Sequence, residues 1–345
     1  MPGVLAPAPR EEGWTRVLVA TVAFLLFARA PGARALLPVE DTFLLLFPVL
    51  TACFVAGWAA GGPGSLAFAW VLMTAALFAL PSPGGAGAYY DVARAWGLLV
   101  AGGFGIACVI VTRGSFLRRA FASLGLAVTG GAVFAGAAAL SPSALTRVFA
   151  AEFAARNAAS AATFDRVAPR IAAGIPAAAE WAAAKSVAIG EASAAVAAPL
   201  VPALLVLEAL AACALAWAWY HRLARTRLGP PLAALRQFTF GHAVVWPLLA
   251  GALLVAVPTV RGGGAALLGT NLVVLFGALF ALRGAGVAAW FVPLRRAAAQ
   301  LAATLAALAL APITIPAALG LGVADNWLDW RGLARSPAPA APSTD

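Results

Sequence analysis

Charged residues are scarce in this chain. Only 10% of its 345 residues are Asp, Glu, Lys or Arg, whereas 63% are hydrophobic, and its mean hydropathy is +0.93. A soluble globular domain carries about 25% charged residues, so the deficit excludes an ordinary cytoplasmic protein. Lysine is nearly absent, with Lys185 the only one, and the formal net charge of +10 therefore comes from arginine.

Residue types that carry out chemistry are equally few. The chain has two histidines and three cysteines, and it contains no C-x-x-C, H-E-x-x-H, G-x-S-x-G or G-x-x-x-x-G-K-[ST] motif. We therefore predict no enzyme activity, no catalytic residues, no metal site and no cofactor. The cysteines lie in apolar segments, where we interpret them as small buried side chains: Cys53, Cys108 and Cys213.

Long apolar runs dominate what is present. A helix needs about 20 apolar residues to cross the hydrocarbon core of a bilayer, and the runs predict an all-α polytopic transmembrane helical bundle with about nine spans. Residues 284–294 form either the tail of a long helix or a broken, re-entrant one. The predicted runs are 14–28, 42–60, 65–80, 95–112, 120–140, 199–220, 243–260, 265–282 and 299–322.

The first run has two interpretations. A basic start and a short apolar stretch ending in Ala28-Arg29-Ala30 are typical of a cleavable signal peptide. An uncleaved first helix is the interpretation we favour, because many apolar runs follow it.

Arginines cluster in the short loops, where they set orientation and meet anionic lipid head groups. We predict a bacterial cytoplasmic (inner) membrane protein with a cytoplasmic N-terminus, in which the bilayer is a partner and nucleic acid is not. The arginines that share one side under this topology are Arg10, Arg16, Arg113, Arg118, Arg119, Arg222, Arg225, Arg227, Arg236, Arg295 and Arg296.

Residues 141–198 differ from the rest because they carry charges of both signs among the alanines. Ser141-Pro142 is a favourable helix start, and Phe149 and Phe153 share a helix face. We predict an extracytoplasmic amphipathic helical insert between spans five and six, broken at Pro169 and Pro176; the alternative is a solvated linker. The predicted divisions are a disordered N-terminus at 1–13, N-terminal transmembrane helices at 14–140, the insert at 141–198, C-terminal transmembrane helices at 199–331 and a disordered tail at 332–345.

Three polar side chains inside apolar runs are the candidate ligand-binding or intramembrane polar network: Glu208, Asn271 and Arg283. A carboxylate within a span costs about 2.5–3.5 kcal/mol or more unless it is partnered, protonated or beside a polar cavity. Glu208 is therefore either a ligand site or a structural carboxyl. Asn271 is more typical of a hydrogen bond between helices, and Arg283 either extends to the interface or pairs with Glu208.

The last apolar run closes with alternating acids and tryptophans, in the segment Ala324–Arg331. Asp325 and Asp329 are four residues apart, a spacing that places them on one helix face, and Arg331 follows. A tryptophan at the membrane interface before a polar helix end explains this motif without a binding site.

The second half of the chain resembles the YybS-like family of uncharacterised polytopic bacterial membrane proteins. The resemblance is carried by "LAWAWYHRLARTRLGPPLAALRQFTFGHAVVWPLL" (215–249), "LGTNLVVLFGALFALRGAGVAAWF" (268–291) and "LGLGVADNWLDWR" (319–331). It implies a final helix closing with Asp325, Asp329 and Arg331, and an Asn-bearing helix with Asn271 before a break at Gly284. The sequence departs from the family near Gly241-His242, where a polar or acidic residue is expected.

That family is distantly similar to the substrate-binding subunits of energy-coupling-factor transporters. The resemblance implies a non-enzymatic component that binds a small-molecule solute and works with separate ATPase or scaffold subunits. The alternative is a membrane scaffold or interaction protein of the cell envelope. An enclosed pocket with Glu208 or Asn271 on its wall favours the first function, and satisfied side chains in a packed core favour the second.

Overall fold

The computed structural model describes residues 13–34, 36–80, 87–111, 114–137, 141–172, 176–257, 264–292 and 297–334. These residues form α-helices, two short 3-10 turns and their connections, and no strand occurs among them, so the predicted all-α class is confirmed for this part of the chain. The predicted disordered ends, 1–13 and 332–345, lie mostly outside these described ranges. The helices are α1 Thr15–Arg29, α2 Pro31–Arg34, α3 Phe43–Ala59, α4 Gly64–Ala79, α5 Ala88–Ile110, α6 Phe116–Ala137, α7 Pro142–Ala172, α8 Pro176–Leu223, α9 Val245–Ala256, α10 Gly264–Phe291, α11 Ala297–Ala309, α12 Ala311–Leu328 and α13 Trp330–Leu333.

Fewer helices are long enough to cross a membrane than the nine predicted. Among the described residues, four qualify by length and apolar composition: α5, α6, the Ala195–Leu223 part of α8, and α10. A fifth arises if α11 and α12, bent by 101° at Leu310, make one broken span. The count of nine is not confirmed, because α1, α3, α4 and α9 are helices of 15, 17, 16 and 12 residues, shorter than the ~20 residues of a typical span.

One difference from the predicted helices follows from a proline, and another occurs despite one. The predicted run 299–322 is divided at Leu310, and Pro312 lies in the first turn of α12, where its missing N–H and fixed φ favour a helix start. Pro176 begins α8, but α7 continues past Pro169 to Ala172.

The run after Arg283 is the tail of one long helix, since α10 is continuous to Phe291.

The chain divides into two compact units, 1–232 and 233–345. In the first unit, α3 packs against α4, α5 and α8, α5 packs against α6, and α7 packs against α8. Its apolar core joins five parts of the chain, because Val39 and Leu45 meet Tyr89 of α5, Phe153 of α7 and Val201 of α8. The aromatic face predicted on the insert is therefore buried in this core. Helix α8 runs without a break across the predicted boundary at 198/199.

In the second unit, α10 packs between α9 and α12 around Val245, Leu248 and Phe280. Glycines set the distance between α10 and α12. A Cβ built on Gly284 would collide with the carbonyl oxygen of Ala318, and one built on Gly322 would collide with that of Phe280. The two helices therefore touch through their backbones, as small residues allow in membrane helices.

Candidate functional site

Glu208 lies on α8 and is 4% exposed. Its Oε2 atom accepts a hydrogen bond at 3.1 Å from the backbone N–H of Val39, in the non-helical segment before α3. Its Oε1 atom has no hydrogen-bond partner among the described residues. Irregular backbone at membrane depth is tolerated where protein surrounds it, and Val39 is fully buried.

Arg156 of α7 lies beside this contact and is also 4% exposed. Its Nε atom donates to Glu152 Oε1 at 2.8 Å and lies 3.4 Å from Glu40 Oε2. Its guanidinium stacks 4.8 Å above the ring centroid of Tyr89, and the hydroxyl of Tyr89 accepts the backbone N–H of Glu40 at 3.0 Å. One cation thus joins α5, α7 and the segment before α3.

Arg156 also holds the backbone of that segment. Its Nη1 donates to the carbonyl oxygen of Leu37 at 2.7 Å and to that of Arg34 at 3.3 Å, and its Nη2 donates to that of Pro38 at 3.4 Å. Because Val39 follows directly, the same arginine positions the N–H that Glu208 accepts. From the sequence, the charges of the insert were treated together, and Arg156 was not singled out. Its position three residues after Phe153, which places the two side chains on one helix face, was the available signal.

Arg283 of α10 forms the main polar contact of the second unit. Its Nε donates to Asp325 Oδ2 at 2.8 Å, its Nη2 to the Asp325 carbonyl at 2.9 Å and its Nη1 to Asn326 Oδ1 at 2.9 Å. Arg331 of α13 donates to the same Asp325 Oδ2 at 2.7 Å. Asp325 is fully buried. One carboxylate therefore bridges two arginines.

The remaining donors of these arginines meet backbone carbonyls. Arg331 Nη1 donates to Arg236 at 3.2 Å and to Phe238 at 3.1 Å, and Arg283 Nη1 lies 3.3 Å from the carbonyl of Phe240. The Arg283 guanidinium is also 5.2 Å from the Phe240 ring centroid. The network holds residues 236–240, which precede α9, against α10 and α12. This is a structural role.

The other predicted residues have local roles. Asn271 donates from Nδ2 to the carbonyl of Leu267 at 2.9 Å, one turn earlier on its own helix. Asp329 has a left-handed backbone with φ +37°, and its side chain caps α13 by accepting the N–H of Gly332 at 3.2 Å. The prediction that Asp325 and Asp329 share one helix face is wrong, because Asp329 separates α12 from α13. Arg283 takes its carboxylate from Asp325, and the predicted alternative partner, Glu208, binds Val39.

Arg119 was predicted only as a topological charge, yet it is fully buried. Its guanidinium donates to the carbonyls of Gly114 at 2.7 Å and Leu228 at 3.0 Å, and lies 5.3 Å from the ring centroid of Trp217. His221 places its two ring nitrogens 2.9 Å and 3.0 Å from the carbonyls of Trp217 and Gly229. The basic loop after α8 is thereby tied to α6 and α8.

Two cavities stand out among the described residues, and none of the predicted site residues lines either. The larger, about 690 Å³, lies between α3, α4 and α5; the smaller, about 10 Å³, lies beside Tyr220 and Thr226. No group of three or more His, Cys, Asp or Glu side chains suited to a metal ion occurs within the described ranges. Arg283 and the Oε2 atom of Glu208 instead face hydrogen-bond partners in packed protein.

A family model described as Predicted membrane protein (DUF2232) matches residues 172–326. The match overlaps the segment 200–331 that carries the resemblance described above, and it includes Glu208, Arg283 and Asp325. No curated protein and no solved structure matches this chain. Together with its apolar helices, this similarity makes the chain an integral membrane protein that resembles, across 172–326, a family of predicted membrane proteins.

Proposed function

We propose that the protein is a non-enzymatic scaffold or interaction protein of the bacterial inner membrane, with its N-terminus in the cytoplasm. One observation carries the proposal: Arg283, Asp325 and Arg331 bind one another and nearby carbonyls. A buried charge network of this kind specifies one packing arrangement. Among the described residues both arginines direct donors at protein acceptors, whereas the Oδ1 atom of Asp325 and the Nδ2 atom of Asn326 have no hydrogen-bond partner.

The basic loops support the proposed orientation, since arginine is enriched on the cytoplasmic side of membrane proteins. The absence of recognisable catalytic motifs supports a non-enzymatic role. Partners of a scaffold are other proteins of the envelope, together with the bilayer itself. The YybS-like resemblance fits either a scaffold or a transport subunit.

A second candidate function is a solute-binding transport component that works with separate ATPase subunits. Glu208 favours it, because a buried carboxylate with one oxygen lacking a partner among the described residues is suited to a cation or an amine-bearing ligand. The two functions make opposite predictions for what remains bound to the protein after gentle purification.

Native mass spectrometry of the full chain, extracted from its own membrane, distinguishes them. We expect a protein partner at fixed stoichiometry that is retained in Glu208→Gln. A small metabolite that is bound by the wild type and lost in Glu208→Gln, but retained in the control Asp91→Asn, would overturn the scaffold proposal in favour of transport. Asp91 is a suitable control because it is an exposed carboxylate on α5, outside the Glu208 contact.

A further inference from the structure

The large cavity is a lateral groove with apolar walls. Among the described residues that line it, only Thr51 and Thr74 have polar side chains. Thr51 donates to the carbonyl of Trp70 at 3.0 Å, and the Thr74 hydroxyl lies 2.7 Å from Thr51 Oγ1. The volume of about 690 Å³ falls within the ~300–1,000 Å³ of ligand pockets. The lining residues that matter below are Pro48, Ala52, Ala59, Gly102, Gly105 and Ile110.

The length of the groove indicates whether a crossing helix or a lipid acyl chain fits it. Helices α3 and α5 run parallel, since Leu44 meets Gly97 and Ala52 meets Gly105. From Pro48 to Ala59 the groove spans about 17 Å at 1.5 Å per residue. That is about half of the ~30 Å hydrocarbon core. A crossing helix of a partner needs the whole thickness, whereas a lipid acyl chain occupies one leaflet.

One end of the groove lies at basic loops. Ile110 closes it on α5, and the next residue, Val111, packs with Arg118 around Gly114. Arg118 is exposed. Residues 111–119 and 221–232 contain no acid, so nothing in these loops offsets their charge.

The second basic loop, residues 221–232, lies at the same end of the groove because it contacts the residues that follow α3. Thr226 contacts Gly62, three residues beyond the end of the groove at Ala59, and accepts a hydrogen bond from Tyr220 at 2.7 Å. Its neighbour Arg225 is exposed. Both basic loops therefore lie at this end of the groove, where the head group of a lipid seated in it would lie.

We propose that this groove binds an anionic phospholipid, with one acyl chain between α3, α4 and α5 and its phosphate against Arg118 and Arg225. A lipid tail gains little by leaving other lipid tails, so the groove supplies shape and packing contacts. Attraction between the arginines and the phosphate supplies the preference for an anionic head group. The bound lipid completes the surface of the first unit.

Glycine offers a matched pair of variants for the test. A Cβ on Gly102, in the groove, meets no atom within 4 Å, and the same holds for Gly125 on α6, outside the groove. Gly102→Leu therefore fills the groove without clashing with protein, and Gly125→Leu adds the same side chain elsewhere. Ala59→Trp is a second filling variant, at the exposed end of the groove.

The experiment is native mass spectrometry of delipidated full chain titrated with phosphatidylglycerol or with phosphatidylcholine of identical acyl chains. We expect one tightly bound phosphatidylglycerol, weakened about tenfold by Gly102→Leu and by Ala59→Trp and unchanged by Gly125→Leu. Arg118→Gln should reduce the preference for phosphatidylglycerol about fivefold, the effect of one arginine near a lipid head group. The exposed Arg147→Gln on α7 is its control.

Three results would overturn the proposal. The first is equal retention of phosphatidylglycerol by Gly102→Leu, Ala59→Trp and the wild type. The second is no preference between the two lipids in the wild type. The third is a dimer of the chain that Gly102→Leu dissociates without any change in lipid binding, which would assign the groove to a second copy.

Discussion

Arg283 and Asp325 form a buried ion pair that joins α10 to α12, with Nε and Oδ2 2.8 Å apart although the two residues are separated by 42 positions in sequence. Arg331 shares the same carboxylate oxygen at 2.7 Å. Two arginines and one carboxylate leave the group with an excess positive charge, which the carbonyls of Phe238 and Phe240 partly offset. The carboxylate is therefore the group on which both cations depend.

Removing the Asp325 carboxylate should lower the free energy of unfolding substantially. Asp325→Ala leaves two buried guanidinium groups without their counter-ion, and breaking a buried pair from one side costs about 3–5 kcal/mol. We expect this loss in the free energy of unfolding, measured by denaturant titration of the purified chain in detergent. Asp329→Ala is the control: it removes a helix cap and places alanine at a left-handed φ of +37°, which together should cost about 1–2 kcal/mol. Equal losses for the two variants would contradict the assigned role of Asp325.

Two substitutions of Glu208 distinguish the need for a hydrogen-bond acceptor from the need for a negative charge. Glu208→Gln keeps an oxygen that accepts the N–H of Val39, so we expect a change in unfolding free energy below about 1 kcal/mol. Glu208→Leu leaves that buried N–H without an acceptor and should cost about 1–3 kcal/mol. The measurement is the same titration. A Gln variant as unstable as the Leu variant would show that the carboxylate charge itself holds the segment before α3.

Sequence reasoning identified residues better than it identified partners. Charges in apolar segments are costly wherever they occur, which is why Glu208, Arg283 and Asp325 stood out without a structure. Which acid meets which base depends on helix packing, and nothing in the spacing of Arg283 and Asp325 reveals that they touch. For Arg283 the sequence left two alternatives open, extension to the interface or a pair with Glu208, and neither is the observed pair with Asp325.

The span count of nine is not confirmed, for a related physical reason. Hydropathy finds apolar runs, but it does not show how many residues are helical, and α9 contains only 12 residues in a predicted run of 18. Arg156 was overlooked because its charge lies in a mixed-sign segment, where a solvated face is the ordinary expectation. Its burial follows from contacts with Leu37 and Tyr89, which are distant in sequence.

The glycine contact between α10 and α12 gives a test of helix packing. Gly284→Ala places a methyl group against the carbonyl oxygen of Ala318 and should lower the unfolding free energy by about 1–3 kcal/mol. Gly277→Ala on the same helix meets no atom within 4 Å. It should be neutral or stabilise by up to about 1 kcal/mol, because alanine favours helix. Matched losses at both positions would contradict the close packing at Gly284.

Arg156 tests whether a planar guanidinium, as opposed to a charge, organises the first unit. Lysine keeps the charge, but its single ammonium cannot reach Glu152, Glu40 and the carbonyl of Leu37 together or stack in the same way on Tyr89. We expect Arg156→Lys to cost about 2 kcal/mol in the free energy of unfolding, as loss of a buried hydrogen-bond network does.

The same substitution at an exposed site isolates this effect. Arg147 lies on the exposed side of α7, and Arg147→Lys should change the unfolding free energy by less than about 0.5 kcal/mol. Hydrogen exchange adds a local readout: in Arg156→Lys the N–H of Val39 should exchange faster, because the backbone of Leu37 and Pro38 loses its donors. Unchanged exchange at Val39 together with normal stability would show that the charge alone suffices.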